Sequence, residues 1–468
     1  MKKRLLCLLF IMVILLPINV HAEEANIVLE YNRNEQEILE SIPVLGSKAV
    51  YIANPDTGKV FYEKNAHEKM YPASTTKILT ALVTMENCEM TDVATVSQRA
   101  LDLVPSGYSN ANLQAGETHT IKDLLYALLL PSANEAANVL AEHVSGSVEE
   151  FVELCNRRAQ ELGCETLHFT NTNGMHDDNH YCSAYDLYLI AKECQKYEIF
   201  NEIVKTRTYT LPSTDIYPGE RIIKNTNELL QPGTYYYSNC TGIKTGHTTP
   251  AGECLVASSS FGNINLISVV LGGETVNSQG LNDRFYDSKN LFEFIYNNYE
   301  IKKIADQRDI IATLIVGKAV KHERILDLIV DTDIATIVPK DVNKENIKMT
   351  VKINPDIVAP IEQNEVLGQV TYHADGLNYT TDIIAKYSVE KLPFAIYNTI
   401  VAASFGLLLI IFIALLRVFK RHRIVVLIFE IIVITIICVI LNIKVKKFKE
   451  SFETQINLAP NVTIEENK

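Results

Sequence analysis

The chain has 468 residues and a formal net charge of −13 at pH 7. This length suffices for two domains in addition to targeting segments. The acidic balance argues against nucleic acid as a partner, because phosphate binding requires a basic surface.

The amino terminus has the pattern of an export signal. Basic residues 2–4 precede a short apolar run, and Val20-His21-Ala22 is a small-residue cleavage sequence. The pattern predicts a signal peptide over 1–22, with an uncleaved anchor as the alternative. In both cases the body of the protein leaves the cytoplasm. The polar segment 23–43 is predicted to be a tether.

Two strands and a helix follow. The runs 49–52 and 60–62 flank the turn 54–58, in which Gly58 can adopt a positive φ. From Ser74 to Met85 the apolar residues recur on one side, which predicts a helix. Further helices are predicted at 124–130, 136–144 and 151–162.

The chain then returns to strands. The runs 242–248, 253–258 and 264–271 are joined by tight turns and predict an antiparallel meander, which a helix over 287–296 closes. Strands at both ends with helices between them predict an α+β domain over 44–300.

The remaining sequence changes character twice. Over 303–390, short apolar runs alternate with turn residues, which predicts a small all-β domain. Segments 394–416 and 424–443 are each about long enough to span a bilayer, and basic residues between them favour the cytoplasmic side. The second segment contains Glu430. For it and the polar tail 444–468, a hairpin with an external tail and an interfacial segment both remain open.

Cysteine and histidine spacing gives no metal signature. Two of the nine cysteines lie in terminal apolar runs, and none of the nine forms a CxxC pair. The histidines show no zinc-like spacing either. We therefore predict neither a metal nor an organic cofactor, and we assign no disulfide pairing.

Three short motifs occur in order along the predicted α+β domain: Ser74-Thr75-Thr76-Lys77, Ser132-Ala133-Asn134 and Lys244-Thr245-Gly246. Residues three apart share a helix face, so the Lys77 amine should lie beside the Ser74 hydroxyl. Serine needs a base to act as a nucleophile. Burial and a neighbouring cation would lower the pKa of Lys77 enough for that role.

These motifs, with their surroundings, resemble the low-molecular-mass penicillin-binding D-alanyl-D-alanine carboxypeptidases, within the penicillin-binding protein and β-lactamase superfamily. The sequences 71–81 and 242–248 are similar to the active-site helix and the signature strand of that family. Segments 171–176 and 183–187 look like its intervening segments. The resemblance covers roughly 45–390 and implies a β-lactamase/DD-peptidase-like domain followed by a small β-domain.

The resemblance also implies a role for each site residue. Ser74 would attack the substrate carbonyl, Lys77 would be its base, and Ser132 would pass a proton to the leaving amine. Asn134, Lys244, Thr245, Gly246 and His247 would bind substrate, with the backbone N–H groups of Ser74 and His247 forming an oxyanion hole. Arg284 is a candidate second clamp for the substrate carboxylate, or else a surface arginine at a helix start.

The implied activity is removal of the terminal D-alanine from peptidoglycan pentapeptide side chains, with β-lactam antibiotics acylating Ser74. Alternatives are a DD-endopeptidase, a β-lactamase and a non-catalytic penicillin-binding membrane protein. The expected location is the bacterial cell membrane, with the C-terminus in the lipid bilayer and the catalytic domain outside the cytoplasm.

Overall fold

The computed structural model describes residues 42–320, 324–342, 347–354, 357–374 and 376–391, together with 26–28, 344, 403, 406, 410 and 455–458. The chain divides into two compact units. The first, here the α+β unit, comprises 33–302 and 336–341. The second, here the β-rich unit, comprises 1–32, 303–335 and 342–468.

The strands are numbered in chain order: β1 Asn26–Val28, β2 Ala49–Ala53, β3 Val60–Lys64, β4 Val93–Thr95, β5 Thr118–Thr120, β6 Thr208–Leu211, β7 Arg221–Lys224, β8 Cys240–Thr248, β9 Gly252–Phe261, β10 Ile264–Gly273, β11 Tyr299–Ala305, β12 Ile310–Ile315, β13 Ile325–Val330, β14 Ile334–Pro339, β15 Lys348–Ile353, β16 Val366–Ala374, β17 Leu377–Ala385 and β18 Gln455–Leu458. The α-helices are α1 Lys77–Asn87, α2 Gln98–Asp102, α3 Ile121–Leu129, α4 Asn134–Ser145, α5 Val148–Glu161, α6 Ala184–Cys194, α7 Glu198–Lys205 and α8 Asp283–Asn298.

A five-stranded antiparallel sheet organises the α+β unit. Its order is β3-β2-β10-β9-β8, so the strands from the start of the domain pair with the later meander. Val269 lies opposite Tyr51 on one side and Val256 on the other. The predicted hairpin and meander are both confirmed.

Side-chain alternation gives this sheet two cores. Tyr51, Val256 and Val269 face the helical layer that contains α1 and α3 to α6. Their strand neighbours Val50 and Leu255 face α8 instead. Successive strand residues point to opposite faces, so each strand contributes to both cores.

Helix α1 lies inside the helical layer, and nine of its eleven residues, Lys77 to Met85, are buried. The predicted helix start differs in detail. Residues Ala73–Thr76 form a 3₁₀ turn, and the α-helix begins only at Lys77. The Thr75 N–H and hydroxyl both bond the Pro72 carbonyl, which tightens this first turn.

Some elements had no clear signal in the sequence. The helices α6 and α7 and the β6–β7 hairpin belong to this group. Helix α6 begins with a capping box in which Ser183 and Asp186 bond each other's backbone N–H groups.

The β-rich unit is built on a seven-stranded antiparallel sheet of order β1-β15-β16-β17-β13-β12-β18. The all-β prediction for this region is therefore confirmed. Both edges come from distant parts of the chain. Strand β1 comes from the predicted tether and pairs with β15, whereas β18 comes from the predicted polar tail and pairs with β12.

The predicted signal peptide and most of the two predicted membrane segments lie outside the described residues. Within the part of the chain that the structure describes, no helix is both long and apolar enough to cross a bilayer.

One loop approaches the 3₁₀ turn closely enough to require glycine. Gly174 has φ +83°, and a Cβ there would overlap the Ala73 carbonyl group. Ala73 itself has φ +46°. The loop and the turn therefore fix each other's position through direct backbone packing.

We predict that Gly174→Ala destabilises the protein far more than Gly146→Ala. Gly146 also has a positive φ, +79°, but a Cβ there would have no neighbour within 4 Å. Both variants incur the left-handed penalty of about 1–2 kcal/mol, and only Gly174→Ala adds a backbone collision. Chemical denaturation would measure both, and equal losses of unfolding free energy would contradict the packing account.

Candidate active site

The Ser74 hydroxyl and the Lys77 amine meet where the 3₁₀ turn passes into α1. Lys77 Nζ lies 2.9 Å from Ser74 Oγ. It also donates to Asn134 Oδ1 at 2.8 Å and to the Asn173 carbonyl oxygen at 2.6 Å. Two further segments of the chain therefore hold the amine against the serine.

The environment of Lys77 favours its neutral form. The side chain is completely buried. Burial, and then the nearby positive charge of Lys244, hold the pKa of Lys77 well below its ordinary value, while Glu135 acts weakly in the opposite direction. A neutral amine can accept the Ser74 proton, which is the property required of a general base.

The second motif lies between α3 and α4. Ser132 is buried in a strained conformation with φ +67°, and its hydroxyl has no hydrogen-bond partner among the described residues. Asn134 opens α4, and its Nδ2 donates to the Ser109 carbonyl at 3.0 Å. In this structure the Asn134 amide thus serves to position Lys77.

The third motif lies on the edge strand β8. Lys244 is buried, its Nζ donates to the Thr245 carbonyl at 3.0 Å, and burial together with Arg284 lowers its pKa to about 7. The Thr245 hydroxyl lies 2.6 Å from that of Thr226. The strand therefore presents an amine and a hydroxyl at the edge of the sheet.

Gly246 brings this strand against the nucleophile. A Cβ at this position would lie 2.9 Å from both the Ser74 nitrogen and the Pro72 oxygen. Any larger residue would push β8 away from the 3₁₀ turn. The third motif thus needs glycine for close backbone approach.

The Arg284 guanidinium is bound by other residues of this protein. Its guanidinium pairs with Glu253 at 2.5 Å and donates to the Gly246 carbonyl at 3.1 Å, and the side chain is only 16% exposed. The same carboxylate lies 3.1 Å from His247 Nδ1, and the His247 side chain is 49% exposed. Glu253 therefore links His247, near the end of β8, to Arg284 of α8.

Sequence reasoning missed several supporting residues. Glu253 lies opposite His247 across the β8–β9 ladder, a pairing visible only once the register is known. Buried Glu135 accepts the Ala111 N–H at 2.6 Å, and its pKa is raised by burial. The Asn173 carbonyl contributes through its backbone, so its residue type gave no signal.

His180 is a further supporting residue. Its Nδ1 accepts the Thr170 N–H at 3.0 Å, and its Nε2 lies 2.8 Å from the Thr76 hydroxyl. Burial lowers the pKa of His180 to about 3, so the ring is neutral and braces the turn that carries Ser74.

Comparison with known proteins supports the resemblance. The D-alanyl-D-alanine carboxypeptidase family model matches residues 36–275, and the model of the penicillin-binding protein 5 C-terminal domain matches 299–391. The D-alanyl-D-alanine carboxypeptidase DacF of Bacillus subtilis is 32% identical over 355 residues, covering 74% of this chain and 87% of the relative.

Two solved structures are also similar. Penicillin binding protein 5 from Haemophilus influenzae matches with a TM-score of 0.56 and 27% identity, over 75% of this chain and 99% of its own. The Streptomyces K15 DD-transpeptidase matches with a TM-score of 0.50 and 30% identity, over 54% and 98%. These matches confirm the expected α+β DD-peptidase fold with a C-terminal all-β domain. The chain belongs to the D-alanyl-D-alanine carboxypeptidase family.

Proposed function

We propose that this protein is a serine-type D-Ala-D-Ala carboxypeptidase that removes the terminal D-alanine from peptidoglycan pentapeptide side chains. The observation that carries the proposal is the 2.9 Å contact between Ser74 Oγ and the buried amine of Lys77, whose pKa is strongly lowered. Membership of the family supplies the substrate class.

Acylation would begin with transfer of the Ser74 proton to Lys77. Ser74 Oγ then bonds to the carbonyl carbon of the penultimate D-alanine, and the backbone N–H groups of Ser74 and His247 stabilise the oxyanion. Collapse of this intermediate breaks the peptide bond. Ser132, whose buried hydroxyl has no other partner among the described residues, passes the proton to the departing D-alanine amine.

Deacylation would follow the same route with water as the nucleophile. Water gives up a proton to Lys77, its oxygen bonds to the ester carbon, and the ester bond breaks as Ser74 Oγ takes up a proton, releasing the shortened peptide. A penicillin would be attacked in the same way. Its leaving amine stays attached to the acyl group after ring opening, which obstructs the approach of water.

Recognition of the substrate carboxylate would depend on β8. Asn134 would bond the substrate backbone, Lys244 would supply positive potential, and Thr245 would donate its hydroxyl to the terminal carboxylate. Arg284 was the other candidate clamp. Its pairing with Glu253 favours a positioning role, in which it fixes the Gly246 carbonyl and so the end of the strand.

A second candidate activity is transfer of the acyl group to an amine instead of water. The similar Streptomyces K15 protein is a DD-transpeptidase. Endopeptidase, β-lactamase and purely penicillin-binding functions would use the same acyl-serine. Product analysis separates them, because the acceptor and the bond broken differ in each.

Ser74→Ala should abolish both D-alanine release from a diacyl-L-Lys-D-Ala-D-Ala peptide and the covalent mass increase with benzylpenicillin. Ser388→Ala is the matched control, since Ser388 also precedes a lysine by three residues but bonds the Gln363 N–H in the β-rich unit. Full activity is expected of that variant. Wild-type protein that takes up penicillin but releases no D-alanine would rule out the carboxypeptidase.

The acylation rate should follow a bell-shaped pH profile. Lys77 must be neutral to act as a base, so its protonation slows the reaction at low pH. Lys244 must be charged to attract the carboxylate, and with a pKa of about 7 it loses that charge as the pH rises. Lys244→Arg, which stays charged, should move the alkaline limb upward while leaving the acid limb in place. An unchanged alkaline limb in this variant would exclude Lys244 as its source.

We further propose that the protein is exported and anchored in the bacterial cell membrane, with the α+β unit outside the cytoplasm. The signal-like sequence 1–22 and the apolar segments 394–416 and 424–443 support this placement. Of the two topologies left open by the sequence, the pairing of β18 with β12 favours a hairpin. Residues on both sides of the apolar segments then belong to one sheet, which requires both ends on the same face of the membrane.

An epitope tag placed after Lys468 should be digested by protease added to intact spheroplasts. The control is a variant lacking 424–443, in which a single remaining span would carry the tag into the cytoplasm and protect it. Protection of the tag in the complete chain would contradict the hairpin.

A further inference from the structure

Three metal-ligating side chains from separate segments converge at the far ends of two helices. Cys88 follows the last residue of α1, Asp92 immediately precedes β4, and His143 lies in the last turn of α4. Their ligand atoms all lie within 4.8 Å of one another. The proposed reaction uses none of these residues.

The surroundings favour a cation. Helices α1 and α4 both end at this point, and the carbonyl groups at helix C-termini create negative potential. The Asp92 carboxylate adds a formal negative charge. One of its oxygens accepts the Glu89 N–H at 2.9 Å, which orients the side chain and leaves the second oxygen available.

The donor set selects the class of cation. Thiolate and imidazole suit zinc and similar borderline metals, whereas magnesium and calcium prefer oxygen ligands alone. Cys88 is partly exposed and His143 is exposed, so an ion can reach the group from solvent. Three protein ligands leave a fourth position for water.

The group lies at a distance from the proposed reaction. Cys88 is eleven residues beyond Lys77 on α1, or about 16 Å along the helix, and His143 is nine residues beyond Asn134 on α4, or about 14 Å. A bound ion could not touch the substrate. It would instead cross-link the ends of the two helices whose opposite ends carry Lys77 and Asn134.

We propose that Cys88, Asp92 and His143 bind one divalent cation of the zinc class, as a structural site that joins α1 to α4. Binding converts the Cys88 thiol to a metal-bound thiolate and releases its proton to solvent. The site stabilises the native protein in proportion to its occupancy, because the unfolded chain does not hold the three ligands together.

Cobalt(II) is the probe, since its bond to thiolate gives a charge-transfer absorption in the near ultraviolet. The full-length protein in detergent is treated with a chelator, freed of it and titrated with cobalt, and zinc is then added to displace the cobalt. One equivalent should produce the thiolate absorption, and zinc should abolish it. The thermal midpoint should rise on adding zinc.

Cys88→Ser should eliminate the thiolate absorption, and His143→Gln should weaken cobalt binding by roughly tenfold or more, the scale of losing one interaction of about 1.4 kcal/mol. His67→Gln, which replaces another exposed histidine of the same unit, is the matched control and should behave as wild type. Absence of the absorption from the wild type, or its persistence in Cys88→Ser, would overturn the proposal. Should Cys88→Ser fail to fold, unchanged affinity in His143→Gln would overturn it equally.

Discussion

The site depends on the burial of one amine. Lys77 is fully enclosed, and an unpaired ammonium in that position would be strongly destabilising. The protein therefore holds the group as a neutral amine, which donates to the Asn134 amide oxygen and to the Asn173 carbonyl and directs its lone pair to the Ser74 hydroxyl. Burial also lowers the pKa of the amine. The burial of this amine therefore has two effects. It fixes how α1, α4 and the 171–174 loop pack together, and it would make Ser74 reactive.

Direct backbone packing, without intervening side chains, fixes the position of the 3₁₀ turn that carries Ser74. Gly174 closes on the Ala73 carbonyl from one side, and Gly246 brings β8 to the Ser74 nitrogen from the other. The 3₁₀ turn is thereby held between a loop and a sheet edge. Lys244 places an amine at this edge, and the charge of Arg284 close by is balanced by Glu253.

The sheet of the β-rich unit ends in short edge strands, which limit pairing with other chains. Its two edge strands, β1 and β18, come from parts of the chain that precede and follow everything else in the described structure. Neither strand has a neighbour close to it in sequence. The segments that the sequence predicts to be a tether and a polar tail thus each contribute one short strand to the sheet.

The sequence by itself determined the α+β class, the all-β region and the identities of Ser74, Lys77, Ser132, Asn134 and Lys244 as candidates. Helical spacing and strand alternation are local properties, and the three motifs and their order can be recognised in the linear sequence. The tertiary structure alone decided what those residues touch. The pairing of Arg284 with Glu253, the contribution of the Asn173 carbonyl and the approach of Cys88 to His143 join residues separated by 31 to 96 positions. Such contacts depend on sheet register and helix packing, which arise from burial summed over the whole domain and leave no periodic trace in any one segment.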